Sequence, residues 1–238
     1  MSSVTTCSAA PKPGIILIYV TGNNVTIKNG FITGSLGVGL FAQSSDTGTG
    51  IGLNQNLVIK DVTFSDNAAG AIASVSDGVM LLNVNASKNG DVGITLSANN
   101  ILDHVNSSFN KGSGIRLANG AMTNVVTAGN QGFGVDLYGG LVGGTLSNVS
   151  ASRNSVGVNS QGAAITNSSF GGNIGVGLQT IGGMVSNVTA AGNNGSTSGH
   201  LTTAQYTFDP ITCYVNAATE YGTIGPSGIN GSVLTGCQ

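Results

Sequence analysis

Apolar residues recur along this chain in a fixed relation to a column of polar positions. Asn29, Asp61, Asn83, His104, Asn124, Asn148, Asn167 and Asn187 form that column. Two residues before each member stands an apolar side chain: Ile27, Ile59, Leu81, Leu102, Met122, Leu146, Ile165 or Val185. One residue after it stands valine in six repeats, with Gly30 and Ser168 as the exceptions. Eleven residues after it stand Leu40, Ile72, Ile94, Ile115, Val135 and Leu178, and Val158 takes this place one residue early. Local alternation is of period two, as in Ile94-Thr95-Leu96 and Ile115-Arg116-Leu117, which predicts half-buried strands. No segment sustains a helical period, and glycine recurs too often for helices.

A second polar column follows the first by six residues: Asn67, Asn89, Asn110, Asn130, Asn154, Asn173 and Asn193. The distance between successive pairs is 19 to 24 residues. Such a period predicts a solenoid whose coils lie one upon the next. Three apolar columns predict three short strands per coil around one interior, stacked in parallel over about eight coils at about 4.8 Å each. Asn suits both columns, because it tolerates left-handed backbone angles at sharp turns and stacks its amide on the copies above and below. Gly93, Gly114, Gly134, Gly157 and Gly177 precede the third apolar column, where they are expected to allow a tight turn or a bulge.

The repeats cover residues 23–195. Residues 1–22 are expected to form an N-terminal cap with a first strand, and residues 196–238 a C-terminal lid carrying Tyr206, Phe208, Tyr214 and Tyr221. Residues 42–56 are an insertion of about ten residues, expected as a surface loop.

The recurring phrases Asn110-Lys111-Gly112-Ser113-Gly114-Ile115-Arg116-Leu117 and Asn130-Gln131-Gly132-Phe133-Gly134-Val135-Asp136-Leu137 resemble the repeats of right-handed parallel β-helix proteins. So does Asn24-Val25-Thr26-Ile27-Lys28-Asn29-Gly30. The resemblance is to the pectin lyase-like superfamily. It implies an all-β, single-stranded right-handed parallel β-helix. It implies no single reaction, because that superfamily holds lyases, hydrolases, epimerases, tailspikes and adhesins.

Composition narrows the functional classes. Charged residues make up 7% of the 238, with a formal net charge of −2. The seven Lys and Arg are scattered from Lys12 to Arg153, so no nucleic-acid partner is expected. No apolar run reaches the length of a membrane span. Residues 1–14 do not read as an intact signal peptide. Low charge with Ser, Thr, Asn and Gly enrichment nevertheless points to a secreted or cell-surface protein. Cys7, Cys213 and Cys237 leave three single disulfides open. Monomer and trimer are equally compatible with the pattern.

The catalytic sets expected of the superfamily are missing. No two acidic residues adjoin, neither histidine is flanked by glycine on both sides, and Asp209-Pro210 continues as Ile211-Thr212. Gly132-Phe133-Gly134-Val135-Asp136 matches half a calcium-binding repeat only once, within a repeat of the wrong length, so calcium has no support and no cofactor is expected. Stacking supplies a different candidate. Thr95, Arg116, Asp136, Asn159 and Gln179 occupy one outward slot on successive coils, and Tyr138 follows on the same face. Arg116 and Asp136 are expected as vertical neighbours within reach of a salt bridge. This polar stripe could line a saccharide groove, or be an ion pair on a solvated sheet. If the protein is a polysaccharide lyase or hydrolase, Arg116 and Asp136 are its candidate catalytic residues. Asp103-His104 looks catalytic in isolation, yet His104 fills an Asn slot of the first column. The absence of tryptophan weakens a strong sugar-binding reading. The expectation is an exported module without catalysis that contacts polysaccharide. An enzyme of acidic polysaccharide and a structural spike or adhesin are the alternatives.

Overall fold

The computed structural model describes residues 16–43, 56–138, 144–181, 184–190, 193, 214–215 and 233–234. They form two sheets, each a stack of parallel strands. Short strands build the first: β1 (Ile18–Val20), β3 (Leu40–Ala42), β5 (Ile72–Ser74), β7 (Ile94–Leu96), β9 (Ile115–Leu117), β11 (Phe133–Leu137), β13 (Val156–Gln161) and β15 (Leu178–Ile181). Long strands build the second: β2 (Thr26–Thr33), β4 (Val58–Ser65), β6 (Met80–Ser87), β8 (Asn100–Ser108), β10 (Gly120–Ala128), β12 (Thr145–Ser152), β14 (Ala164–Gly171) and β16 (Met184–Thr189). Each coil contributes one strand to each sheet, giving an all-β parallel solenoid of about seven turns. On the last coil, β17 (Tyr214–Val215) pairs antiparallel with β15, and β18 (Val233–Leu234) pairs antiparallel with β16.

The three apolar columns are present, but hydrogen bonding distributes them over two sheets rather than three. The first polar column lies inside the long strand and bends it. All eight of its members have φ between 51° and 59°. Pairing continues on both sides of the bend, so Ile59↔Leu81 and Val62↔Val84 belong to one ladder. A left-handed residue reverses the in-out alternation, which is why residues three apart, such as Ile59 and Val62, both face the core.

The second polar column works differently from the expectation. Its Asn residues do not have left-handed angles. The residue before each of the first six does: Asp66, Lys88, Phe109, Gly129, Arg153 and Gly172 have φ between 54° and 66°. The bend turns the Asn side chain inward, where all seven are at most 2% exposed. Each amide oxygen there accepts from the coil before. Asn89 donates to Asn110 Oδ1 through its backbone N–H (3.0 Å) and its Nδ2 (2.9 Å), and Asn130 does the same to Asn154 Oδ1 (3.0 and 2.9 Å). Nδ2 also reaches a backbone carbonyl, as Asn110 does with Ala86 (3.1 Å). Burial of these amides is therefore matched by partners on both ends.

The expected role of the glycine column needs the same correction. Gly114 and Gly134 have no left-handed angles. A Cβ on Gly114 would lie 2.7 Å from the Gly134 carbonyl and 2.8 Å from Asn130 Nδ2. On Gly134 it would lie 2.7 Å from Asn154 Nδ2. Glycine is required here because the next coil and its buried amide pass too close for a side chain.

The core runs the length of the stack. Ile59, Leu81, Ile94, Ile115, Val135, Val158 and Ile165 are fully buried. Ser168, the exception in the valine column, is 5% exposed and satisfied: it donates to the Thr166 carbonyl (2.7 Å) and accepts from Val149 N–H (3.1 Å). Most of the 42–56 insertion, all three cysteines, His200, Tyr206, Phe208, Asp209, Tyr221 and most of both expected capping segments lie outside the described residues.

Candidate functional site

The short-strand sheet has the polar stripe on its outer face, in the predicted register. Thr95 pairs with Arg116, Arg116 with Asp136, Asp136 with Asn159, and Asn159 with Gln179. Alternation explains the placement: Ile115 and Leu117 of β9 fill the core, so Arg116 between them points out. Val158 comes one residue early because its turn is one residue short. That shortening keeps Asn159 in the column.

Arg116 Nε lies 3.2 Å from Asp136 Oδ2, and Asn159 Nδ2 donates to Asp136 Oδ1 at 2.8 Å. The two neighbours cover the carboxylate. The Asp136 side chain is only 8% exposed, whereas that of Arg116 is 49% exposed. Tyr138 completes the cluster. The Arg116 Cζ sits 4.9 Å from its ring centroid, and its hydroxyl donates to the Leu96 carbonyl at 3.3 Å. Arg116 is thus held by an anion on one side and a ring on the other. Thr95 and Gln179 are half-buried at the ends of the stripe.

Asp103 and His104 do come together, with His104 Nδ1 at 2.9 Å from Asp103 Oδ1, but the contact serves the exposed ladder. Elsewhere that ladder bonds vertically, as Asn187 Nδ2 does to Asn167 Oδ1 (2.7 Å). Histidine at position 104 cannot offer an amide oxygen to Asn124. Asn124 Nδ2 instead donates to Asp103 Oδ1 at 3.0 Å. This bond first, and that to His104 second, hold the Asp103 carboxyl below its ordinary value. Asp61 likewise accepts from Asn83 (2.8 Å) as a ladder member, while Lys60 and Asp66 are exposed. Among the described residues, no three His, Cys, Asp or Glu side chains cluster as a metal site would require.

Sequence reasoning missed the upper end of the outward column. Tyr19 pairs with Phe41, Phe41 with Ala73, and Ala73 with Thr95. The Tyr19 and Phe41 rings stack with centroids 5.6 Å apart and planes within 1°. The Tyr19 hydroxyl donates to Gln43 Oε1 at 3.0 Å. The available signal was the alternation in Ile18-Tyr19-Val20 and Leu40-Phe41-Ala42, continued upward from Thr95. The insertion after Ala42 obscured the spacing.

The chain matches the family described as right handed beta helix region over residues 12–156, more than half its length, and it belongs to that family. No curated protein and no solved structure matches it.

Proposed function

We propose that this is an exported β-helix module that holds polysaccharide on the outer face of its short-strand sheet without cleaving it. The observation that carries this reading is the state of Asp136. Both carboxylate oxygens are engaged, one by Arg116 and one by Asn159, beneath a nearly closed cover. A general base must reach the proton it abstracts, and a carboxylate so occupied is arranged to position Arg116 rather than to react. Arg116 stays half exposed, above a ring, on a face where Thr95, Asn159 and Gln179 add hydrogen-bonding groups. Such a face suits a ligand rich in hydroxyl and carboxylate oxygens.

The test is to incubate the purified protein with acidic and neutral polysaccharides, with and without calcium. Retention on each polymer, new reducing ends and unsaturated products are followed together. Retention without new ends is the expected result. New ends that vanish in the Arg116→Ala, Asp136→Ala double variant would replace this reading with the enzymatic one.

A further inference from the structure

The uppermost described coil is less well covered than those below it. Ile27 is half-buried, whereas Ile59, Leu81 and Leu102 beneath it in the same column are buried. Phe31, on the outer face of β2, is 84% exposed. β2 is also the terminal strand of the long-strand sheet. β4 pairs with its lower edge, and among the described residues no strand pairs with its upper one. An unpaired row of backbone donors and acceptors is a template for another strand. Hydrogen bonds show which groups that row contains. Val58 N–H donates to the Val25 carbonyl, and Gly34 N–H donates to the Ser65 carbonyl, so residues 25 and 34 turn these groups down toward β4. Alternation counted inward from each end then leaves Thr26, Lys28, Phe31 and Thr33 with their groups turned up. The strand is also close to self-complementary about its bend. Thr26-Ile27-Lys28-Asn29 leads to the bend from one side, and Thr33-Ile32-Phe31-Gly30 leads to it from the other. Gly30 stands where six repeats carry valine, and a Cβ on it would touch nothing within 4 Å. Glycine inside a strand suits a place where another backbone comes close.

We infer that the upper edge of β2 docks a second copy of this chain, which lays its own β2 antiparallel across a two-fold axis between Asn29 and Gly30. Thr26 then lies opposite Thr33 of the second copy, Ile27 opposite Ile32, and Lys28 opposite Phe31. Three properties agree on that register. The first is hydrogen bonding: the four residues with groups turned up lie opposite one another, where antiparallel partners exchange both bonds. The second is burial: inward Ile27 meets inward Ile32, outward side chains meet outward ones, and the two cores join through the half-buried layer. The third is charge. Lys28 stands directly over Lys60, and among the described residues neither has an anion at ion-pair distance. Across the axis, its ammonium meets the Phe31 ring, whose face is electronegative. A slip of one residue sets Ile27 against outward Thr33 and loses all three. The axis runs through the bend of each strand, so the two bends coincide. The same edge serves both copies, and association therefore closes at two.

The experiment is sedimentation equilibrium of the full chain over a range of concentrations. Phe31→Lys sets a cation opposite Lys28 of the second copy. Adding Lys28→Phe to that variant exchanges the pair and again sets a cation opposite a ring. Thr33→Pro removes an N–H that the ladder with β4 does not use, and proline is tolerated on an open edge. Val126→Lys is the control: it puts the same charge in the outward column of Phe31, four coil steps further down. Thermal melting checks that each variant is folded. The expected result is a monomer–dimer equilibrium shared by the parent and Val126→Lys. It should weaken at least about tenfold in Phe31→Lys and in Thr33→Pro, and recover in the Lys28→Phe, Phe31→Lys exchange. A parent that stays monomeric or forms a trimer would overturn the inference. So would a dimer indifferent to Phe31→Lys and Thr33→Pro, a dimer lost in Val126→Lys, or an exchange variant no tighter than Phe31→Lys alone.

Discussion

Asn130 Oδ1 accepts two hydrogen bonds from one residue, Asn110: one from its backbone N–H and one from its Nδ2, both at 3.0 Å. Neither group can reach water, since both residues are at most 2% exposed. Asn130→Ala therefore orphans the buried Asn110 N–H, takes one acceptor from Asn110 Nδ2, and removes the bond that Asn130 Nδ2 donates to the Ser107 carbonyl at 2.9 Å. The expected loss is about 2–4 kcal/mol, read by urea or thermal unfolding. Asn130→Asp should be at least as damaging, because it removes the donor and introduces a buried acid.

The exposed ladder is held by backbone conformation more than by its bonds. Asn148 has φ 56° and its amide donates to Asn124 Oδ1 at 2.6 Å on the surface. Asn148→Gly should stay within about 1 kcal/mol of the parent, because glycine adopts this angle freely. Asn148→Val should lose about 2 kcal/mol or more, since a β-branched residue is strained there. Equal melting of the two variants would refute the conformational account.

Ile115 pairs with Ile94 and Val135 at the centre of the core and is fully buried. Ile115→Asp should prevent stable folding by placing an unpaired carboxylate among apolar side chains. Ile115→Val should lose only about 0.5–1.5 kcal/mol. Circular dichroism and melting distinguish the two.

The Arg116–Asp136 pair should respond asymmetrically. Arg116→Ala uncovers a carboxylate that has only Asn159 left to bond, whereas Asp136→Ala leaves a half-exposed guanidinium free to take up water. Arg116→Ala should therefore be the more destabilising, by about 1 kcal/mol. In the double variant, part of that loss should return, and a double-mutant cycle measures the coupling. High salt should weaken it only modestly, because one partner is largely covered.

Asp103 titrates below its ordinary value of 3.8 because Asn124 and His104 both favour the charged form. A carboxyl with a lowered folded-state pKa contributes stability above its unfolded pKa and loses it as pH falls through the folded value. Asn124→Ala removes the larger cause, so the Asp103 pKa should rise toward 3.8 in an NMR titration. The pH-dependent part of the accompanying loss of stability should therefore be present at neutral pH, fade as pH drops through the folded value, and be small, since the group is solvent-exposed.

What was legible in the sequence depended on whether a position carries one residue type for one reason. Both ladders are visible because a left-handed bend and a stacked amide each select Asn strongly. Their division of labour is not visible: left-handed angles fall on the first column, as in Asn148, but one residue before the second, as in Lys88 and Phe109. An inward amide and an outward bend use the same letter. Other inner columns went unread for the opposite reason. Phe64, Ala86, Ser107, Thr127 and Phe170 are all buried, yet they share no chemical character. Their volume is set by what faces them across the interior.

The stripe from Thr95 to Gln179 could be counted out because alternation and repeat length together define an outward slot. The Arg116–Asp136 pair followed from the same count. What did not follow is the cover: nothing in Val135-Asp136-Leu137 says that Asn159 takes the other oxygen and that the carboxylate is only 8% exposed. The aromatic pair of Tyr19 and Phe41 escaped as well, since the insertion after Ala42 breaks the spacing by which columns are counted.

By itself, the sequence determined the parallel solenoid, its axial period and the residues that face inward at the apolar columns, because those follow from local alternation and a repeated turn. The tertiary structure decided how three apolar columns become two hydrogen-bonded sheets, which asparagines are buried, and which outward side chains touch. Those outcomes depend on contacts between residues about twenty positions apart, where a shift of one residue in a bend turns a side chain from solvent to core.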